Sequence, residues 1–158
     1  MSRTSIPQRG LSVHQPWAWA IACGRKPVEN RARAFPRALA GAPVALHASR
    51  TAESALLLPD PAALAACVTA DADLDPLLAL GAVIAVVTFT GSHKVCRMAA
   101  PPAECSPWSV PGCHHWTVAE VEPLAEPVPC RGMPGFWPLP PGVGAAITAQ
   151  LAAARRNP

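Results

Sequence analysis

Short runs of alternating or continuous apolar residues, bounded by Gly and Pro, predict five or six β-strands along this chain. Residues 82–90 are continuously apolar and rich in β-branched side chains, which favours a buried central strand. Residues 28–34 and 115–122 alternate apolar or small residues with polar ones, as half-exposed strands do. The remaining predicted strands are residues 11–13, 43–48 and 135–139.

Helical patterns lie between the early strands and at the end of the chain. The first predicted helix stops before Gly24, a residue type that suits the position after a last helical turn. The last one carries an apolar stripe of Val143, Ile147 and Leu151. The predicted helices are residues 16–23, 51–58, 61–69 and 142–156. Strands and helices in this order indicate an α+β fold, a small mixed β-barrel with short helices and a C-terminal helix.

Length and composition limit the class of protein. The 158 residues fit one domain, and apolar residues make up 51% of them, which is enough for a core. No apolar run reaches the roughly 18–20 residues of a membrane span, and the first residues lack the apolar region of a secretory signal. Six cysteines without a C-x-x-C pair favour free thiols in a reducing compartment. We therefore expect a cytoplasmic monomer with no membrane partner.

Charge is distributed unevenly along the chain. Residues 1–50 hold eight of the thirteen Lys and Arg and a single acid, Glu29. Residues 51–90 hold five acids and no Lys or Arg. This asymmetry predicts a basic face built mainly by the N-terminal third. A GC-rich genome explains the preference for Arg over Lys but not the clustering.

Two motifs carry the candidate chemistry. The first is S-x-x-Q-P-W from Ser12, followed by G-x-K-x-x-E-x-R from Gly24. Glu29 and Arg31 are two residues apart, so they share one face of a strand. The second motif begins with His115-Trp116 and ends with R-G-x-x-G-x-W over residues 131–137.

These motifs closely resemble the ASCH family, the homology domain of activating signal cointegrator proteins, which is related to PUA-like barrels. The resemblance covers residues 11–139 and is weakest over 51–80. It implies an ASCH domain at 11–140. The polar residues 1–10, which show no period, are predicted to form a flexible N-terminal arm, and residues 141–158 a C-terminal helix. The resemblance also implies a cleft that binds RNA, DNA or a modified nucleotide, with Lys26, Glu29 and Arg31 inside it and Gln15 and Trp17 as one wall.

The residue chemistry is compatible with such a ligand. Lys and Arg neutralise phosphates, a carboxylate accepts from a base amino group, and Trp stacks on bases. The candidate binding residues are His14, Gln15, Trp17, Lys26, Glu29, Arg31, His47, Trp116 and Arg131.

Each candidate also has a structural alternative. Glu29 and Arg31 can pair on the surface of a barrel, where such pairs contribute roughly 0–1 kcal/mol. Trp17 and Trp116 can each belong to the core. His47 can be a buried histidine whose ring nitrogens are hydrogen-bonded within the protein, and Arg131 can donate to the carbonyl oxygen of a turn.

Hydrolysis is the alternative to binding alone, and we expect no cofactor. Some ASCH-like proteins deacylate N4-acetylcytidine with a lysine at the position of Lys26, a threonine at that of Glu29 and a strand glutamate. This chain departs from that pattern, because Glu29 replaces the threonine and residues 82–95 contain no carboxylate. Lys26 and Glu29 are therefore catalytic candidates only if the protein is an enzyme. A ribonuclease would use Lys26 at the phosphorane and His14 or His47 for proton transfer.

Two further features stay open at this point. The residues His93, Cys96, Cys105, Cys113, His114 and His115 contain enough soft ligands for zinc, but their spacings are longer than usual knuckles. We therefore expect unligated thiols and no metal. The Ala/Leu-rich segment 55–80 is a candidate surface for a protein partner.

Overall fold

The computed structural model describes residues 6–51, 65, 75–94 and 105–156 of the chain. Six strands form one sheet in the order β2-β5-β4-β3-β1-β6. Their bounds are β1 Arg9–Val13, β2 Val28–Arg31, β3 Pro43–Ala48, β4 Ala82–His93, β5 His114–Pro129 and β6 Phe136–Pro138. The sheet is mixed, since β1 and β3 are parallel and the other neighbours are antiparallel.

The sheet curls into a half-barrel whose ends approach each other. Trp116 of β5 stacks on Phe136 of β6, with ring centroids 5.5 Å apart and an interplanar angle of 2°. Arg31 of β2 donates from Nη2 to the carbonyl oxygen of Ser12 in β1 at 2.8 Å. The predicted α+β fold with a mixed barrel of five to six strands is thereby confirmed, with six strands in the described residues.

Three helices accompany the sheet in the described part of the chain: α1 Trp17–Ala22, α2 Asp75–Leu78 and α3 Pro141–Arg156. A 3-10 turn covers Arg37–Leu39. Gly24 follows α1 with φ +69°, in the left-handed region that ends many helices. Apart from residues 51 and 65, the predicted helices 51–58 and 61–69 lie outside the described residues, as does most of the segment 55–80. Among the helices that are described, none is long and apolar enough to cross a membrane.

Apolar side chains pack on both faces of the sheet. The inner core joins residues of α1 with Leu11, Leu46 and Phe89 from three strands. The outer core packs Ile147 and Leu151 of α3, two members of the predicted stripe, against β4 and β5. The fold is therefore a sheet with one apolar layer on each side.

The strand β5 is longer than the alternation predicted, since it continues past 122 through three prolines to Pro129. Its pairing with β2 ends at Thr117, so beyond that point β4 is the only strand paired with it in the described residues. A proline lacks an N–H but is tolerated where one side of a strand is unpaired. Register shifts between β4 and β5 also relieve the regular ladder. The strand β2, in contrast, ends at Arg31, three residues before the predicted end.

Candidate functional site

A cleft of about 550 Å³ opens at one end of the half-barrel. The strands β1 and β3 are parallel, so their C-terminal ends meet there and present Ser12 and His47. The end of β2 and the segment 131–135 before β6 complete the walls. The polar residues that line it are Ser12, His14, Asn30, Arg31, His47, Ser49, Arg50 and Arg131.

At the floor of the cleft, Ser12 and His47 form a fixed hydrogen-bonded pair. His47 Nε2 lies 3.1 Å from the carbonyl oxygen of Cys130, so Nε2 carries the proton and donates it. His47 Nδ1 is then an acceptor for the Ser12 hydroxyl, at 3.1 Å. Trp137 Nε1 donates to the Ser12 oxygen at 3.2 Å. Burial lowers the pKa of His47, outweighing the Cys130 hydrogen bond that raises it, and so favours the neutral ring.

Gly132 is packed directly over this pair. A Cβ at this position would lie 2.4 Å from Cε1 of His47 and 2.5 Å from Oγ of Ser12. No side chain fits in that space without a shift of the backbone or of the buried ring. The glycine therefore lets the segment 131–135 close over the floor of the cleft and sets the position of Arg131.

Arg31 joins the cleft to the layer beneath it. Its Nε donates to Glu29 Oε1 at 3.0 Å, and its Nη2 donates to the Ser12 carbonyl. The guanidinium lies over the ring of Trp116, with 5.6 Å from Cζ to the centroid. A guanidinium has five N–H donors, so Arg31 keeps donors for a ligand while two of them hold it in place.

Lys26 and Glu29 form a buried ion pair beneath Arg31. Lys26 Nζ lies 2.9 Å from Glu29 Oε2, and the two side chains are 3% and 8% exposed. Lys26 also donates to the carbonyl oxygen of Val28 at 2.6 Å. Burial alone would raise the pKa of Glu29, but the charges and hydrogen bonds of Lys26 and Arg31 outweigh it and lower the pKa. The carboxylate is thus ionised, and two cations around one anion leave a net positive charge.

The electrostatics of the cleft follow from these contacts. Arg50 and Arg131 are exposed at its rim, and Arg31 is half-buried in its wall. No carboxylate is among the residues that line it in the described part of the chain. Three guanidinium groups around a concave surface without acids attract anions, above all phosphate, which Arg binds through two parallel hydrogen bonds.

The sequence matches no protein-family model and no curated protein. A solved structure of an ASCH mutant protein from Zymomonas mobilis matches it with a TM-score of 0.50, covering 91% of this chain and 96% of its own. The fold is ASCH-like. Sequence identity is 14%, so this similarity concerns the fold alone. A structure of ASCH from the same organism matches with a TM-score of 0.48 at 14% identity, over 94% of this chain and 96% of its own.

The ASCH-like fold brings four of the nine predicted binding residues to the cleft: His14, Arg31, His47 and Arg131. The remaining five lie elsewhere, and they are Gln15, Trp17, Lys26, Glu29 and Trp116.

The five that lie elsewhere have structural contacts instead. Gln15 is buried, donates to the Ala79 carbonyl at 3.1 Å and accepts from the Trp19 amide at 3.0 Å. The half-buried Trp17 packs edge-on against Trp108 with centroids 6.0 Å apart. Trp116 is 5% exposed, in the inner core. Neither Gln15 nor Trp17 forms a wall of the cleft.

The sequence reasoning missed four other polar residues that line the cleft: Ser12, Asn30, Ser49 and Arg50. The position of Arg50 three residues after His47 was a usable signal, because residues after one strand end share its edge of the sheet. The position of Ser12 depends on the parallel pairing of β1 with β3, which places it opposite His47. Nothing in the sequence pattern shows that pairing.

Proposed function

We propose that this ASCH-like domain binds RNA, DNA or a nucleotide in the arginine cleft, the concave surface that carries Arg31, Arg50 and Arg131. One observation carries the proposal: these three guanidinium groups line one cleft, and no carboxylate is among its described lining residues. The cleft volume of about 550 Å³ falls in the range of sites for small organic ligands, roughly 300–1,000 Å³. A nucleotide, or the unpaired nucleotides of a single strand, fits that size.

The polar side chains of the cleft divide into two groups by what they can contact. Arg50 and Arg131 at the rim supply phosphate contacts, which give affinity without sequence preference. His14 is exposed and Ser49 is half-buried, and Ser49 Oγ is 3.2 Å from His14 Nδ1. Hydroxyl and imidazole groups there suit the hydrogen-bonding edges of a sugar or base. Single strands are favoured over duplexes, because a concave site of this size takes splayed bases.

The proposal is tested by fluorescence anisotropy with labelled single- and double-stranded RNA and DNA oligomers over a range of salt concentrations. The variant is Arg50→Ala/Arg131→Ala, and the matched control is Arg155→Ala/Arg156→Ala, which removes the same charge from the end of α3. Wild type and control should bind alike. For a single strand, the salt slope of the cleft variant should fall by about 0.7 for each lost phosphate contact, or about 1.4 in total.

Equal loss of affinity in the two double variants would contradict the proposal, because net charge rather than the cleft would then account for binding. Failure of wild type to bind any oligomer or free nucleotide would also contradict it. We avoid Lys26→Ala in this comparison because that change breaks a buried ion pair and confounds binding with folding.

Hydrolysis of the bound ligand is a second candidate function, favoured by the Ser12–His47 pair. A neutral imidazole at 3.1 Å from a hydroxyl, oriented by a carbonyl on its other nitrogen, has the geometry of a base beside a nucleophile. The catalytic candidates from the sequence, Lys26 and Glu29, are bonded to each other and are not among the residues that line the cleft.

An activity assay separates this function from binding alone. Wild type, Ser12→Ala and His47→Gln are incubated with RNA oligomers and with N4-acetylcytidine, and products are resolved by mass spectrometry. Hydrolysis by wild type that is lost in Ser12→Ala, with oligomer affinity kept, supports a hydrolase. Absence of product with wild type, or undiminished turnover in Ser12→Ala, rejects it.

A further inference from the structure

Three side chains of metal-binding type converge at a site outside the arginine cleft. His93 ends β4, His115 lies near the start of β5, and Cys105 belongs to the loop 105–113. One ligand atom from each lies within 4.8 Å of the others. His115 is buried, and the other two are half-buried. None of the three lines the arginine cleft.

The strand register explains how the two histidines meet. His93 and His115 are directly paired across β4 and β5, and their rings lie 5.4 Å apart at 87°. His115 is also paired with Asn30 of β2, whereas its neighbour Trp116 is paired with Glu29. Because successive side chains point to opposite faces of a sheet, this cluster and the Lys26–Glu29 pair lie on different faces.

The loop that carries Cys105 is held to β2 through Asn30. The Asn30 side chain donates from Nδ2 to the carbonyl oxygen of Trp108 at 2.9 Å and accepts from the Val110 amide at 2.9 Å. A side-chain amide bonded at both ends fixes the loop backbone relative to the sheet. It thereby brings Cys105 Sγ to 3.4 Å from His115 Nδ1.

The hydrogen bond on the far side of His115 sets which nitrogen faces the sulfur. Nε2 lies 2.9 Å from the Val110 carbonyl oxygen, so Nε2 carries the proton and Nδ1 presents its lone pair toward Cys105. Histidines that bind metals usually donate their other N–H to a carbonyl or carboxylate in this way. The distance from Cys105 Sγ to His115 Nδ1 is 3.4 Å. The Zn–S and Zn–N bond lengths and the tetrahedral angle place two such ligand atoms roughly 3.5 Å apart, so the observed distance suits zinc.

We propose that His93, Cys105 and His115 bind a divalent ion of the zinc class, with solvent in the fourth position. One thiolate and two imidazoles are the ligands that zinc prefers, and they disfavour the oxygen-seeking magnesium and calcium. The ion would join the loop 105–113 to β4 and β5. The expectation of unligated thiols, drawn from the long spacings, did not account for the strand pairing that brings these residues together.

The test uses protein made without a histidine tag, dialysed against metal-free buffer and then loaded with Zn²⁺ or Co²⁺. Mass spectrometry of the metal should give one ion per chain. Cobalt should give the intense visible bands of tetrahedral coordination and an ultraviolet thiolate charge-transfer band. Cys105→Ser should lose the charge-transfer band, whereas Cys113→Ser, a half-buried cysteine of the same loop, should keep it. Loss of a residue that only hydrogen-bonds to a metal ligand lowers metal affinity by roughly 10–100-fold. His93→Gln should lower zinc affinity by more than this, because the proposal makes His93 a direct ligand.

The outcomes that overturn the proposal are equally definite. Wild type that keeps its native circular dichroism but binds no stoichiometric zinc or cobalt rules out the site. Loss of the charge-transfer band in Cys113→Ser together with its retention in Cys105→Ser assigns the ligand elsewhere. Thermal melts guard against misfolding: a chelator should lower the melting temperature of wild type and leave that of Cys105→Ser unchanged. Oligomer binding in the arginine cleft is measured separately and does not depend on this result.

Discussion

Arg31 Nη2 donates a 2.8 Å hydrogen bond to the carbonyl oxygen of Ser12, and this bond connects β2, at one end of the sheet order, with β1 near the other. The same guanidinium lines the cleft and is braced by Glu29. One side chain thus contributes to closing the half-barrel and to lining the cleft in which we propose that anions bind. The two roles make different demands on the residue type, which substitutions can separate.

Arg31→Lys should weaken both roles although it keeps the charge. A lysine cannot make the forked contacts to Glu29 and Ser12, so we expect a loss of about 1–2 kcal/mol in the free energy of unfolding. Urea denaturation measures this loss, with Arg155→Lys as the control, since Arg155 pairs with Glu122 on the surface. The control should change by less than about 1 kcal/mol. Equal losses in the two variants would show that the bond to Ser12 contributes nothing.

Lys26→Met should be among the most destabilising single changes in the described chain. It removes one partner of a buried pair and leaves Glu29 ionised with Arg31 alone, which should cost about 3 kcal/mol. Denaturant unfolding measures the loss, and Lys94→Met, at an exposed lysine, is the matched control. Adding Glu29→Gln to Lys26→Met should restore part of the stability. A loss below about 1 kcal/mol in Lys26→Met would refute the structural role of the pair.

Gly132→Ala should disturb the cleft without removing any charge. The added methyl meets His47 and Ser12 at about 2.5 Å, so the segment 131–135 must shift and take Arg131 with it. We expect the affinity for oligomers to fall and the free energy of unfolding to be about 1–3 kcal/mol lower than in wild type. Gly144→Ala is the control, since open space surrounds that position in α3. Unchanged affinity in Gly132→Ala would mean that the ligand does not use this segment.

The stability of the protein should fall as the pH is lowered through about 6.5, in part because of His47. Burial holds the folded pKa of His47 below its ordinary value of 6.5, so below that pH the unfolded chain takes up a proton that the folded chain refuses. Each such proton gives a slope of at most about 1.4 kcal/mol per pH unit. The experiment measures the free energy of unfolding at pH values from about 8 down to about 5. As the pH is lowered, this free energy should fall less steeply for His47→Gln than for wild type. Identical slopes would exclude His47 as a source of the pH dependence.

The strands and helices of the described chain were largely predictable, because their signals are local. The strand at 43–48 appears with the bounds that its apolar run predicted, and the stripe of Val143, Ile147 and Leu151 packs as the outer core. The length of β5 was not predictable in the same way. Its prolines predicted that the strand would end before them. They are tolerated because, in the described residues, no second strand pairs with β5 after Thr117.

The site was predictable in part, for a physical reason. Motif residues show which side chains matter together, but the same spacing fits a cleft surface and the layer beneath it. Lys26 and Glu29 lie in that lower layer, where they hold Arg31, and burial distinguishes the two layers only in three dimensions. The cluster of His93, Cys105 and His115 likewise depends on a register that no local pattern encodes.

The central claim, that the arginine cleft binds nucleotide or single-stranded nucleic acid, is tested most directly by mapping the contact with NMR. Amide and arginine side-chain signals of the labelled protein are followed during titration with a short single-stranded oligomer. The account predicts that shifts concentrate at Ser49, Arg50, Arg131 and Gly132 and at Nε–H of Arg31. Shifts that concentrate on α3 instead, or no shifts at saturating oligomer, would contradict it.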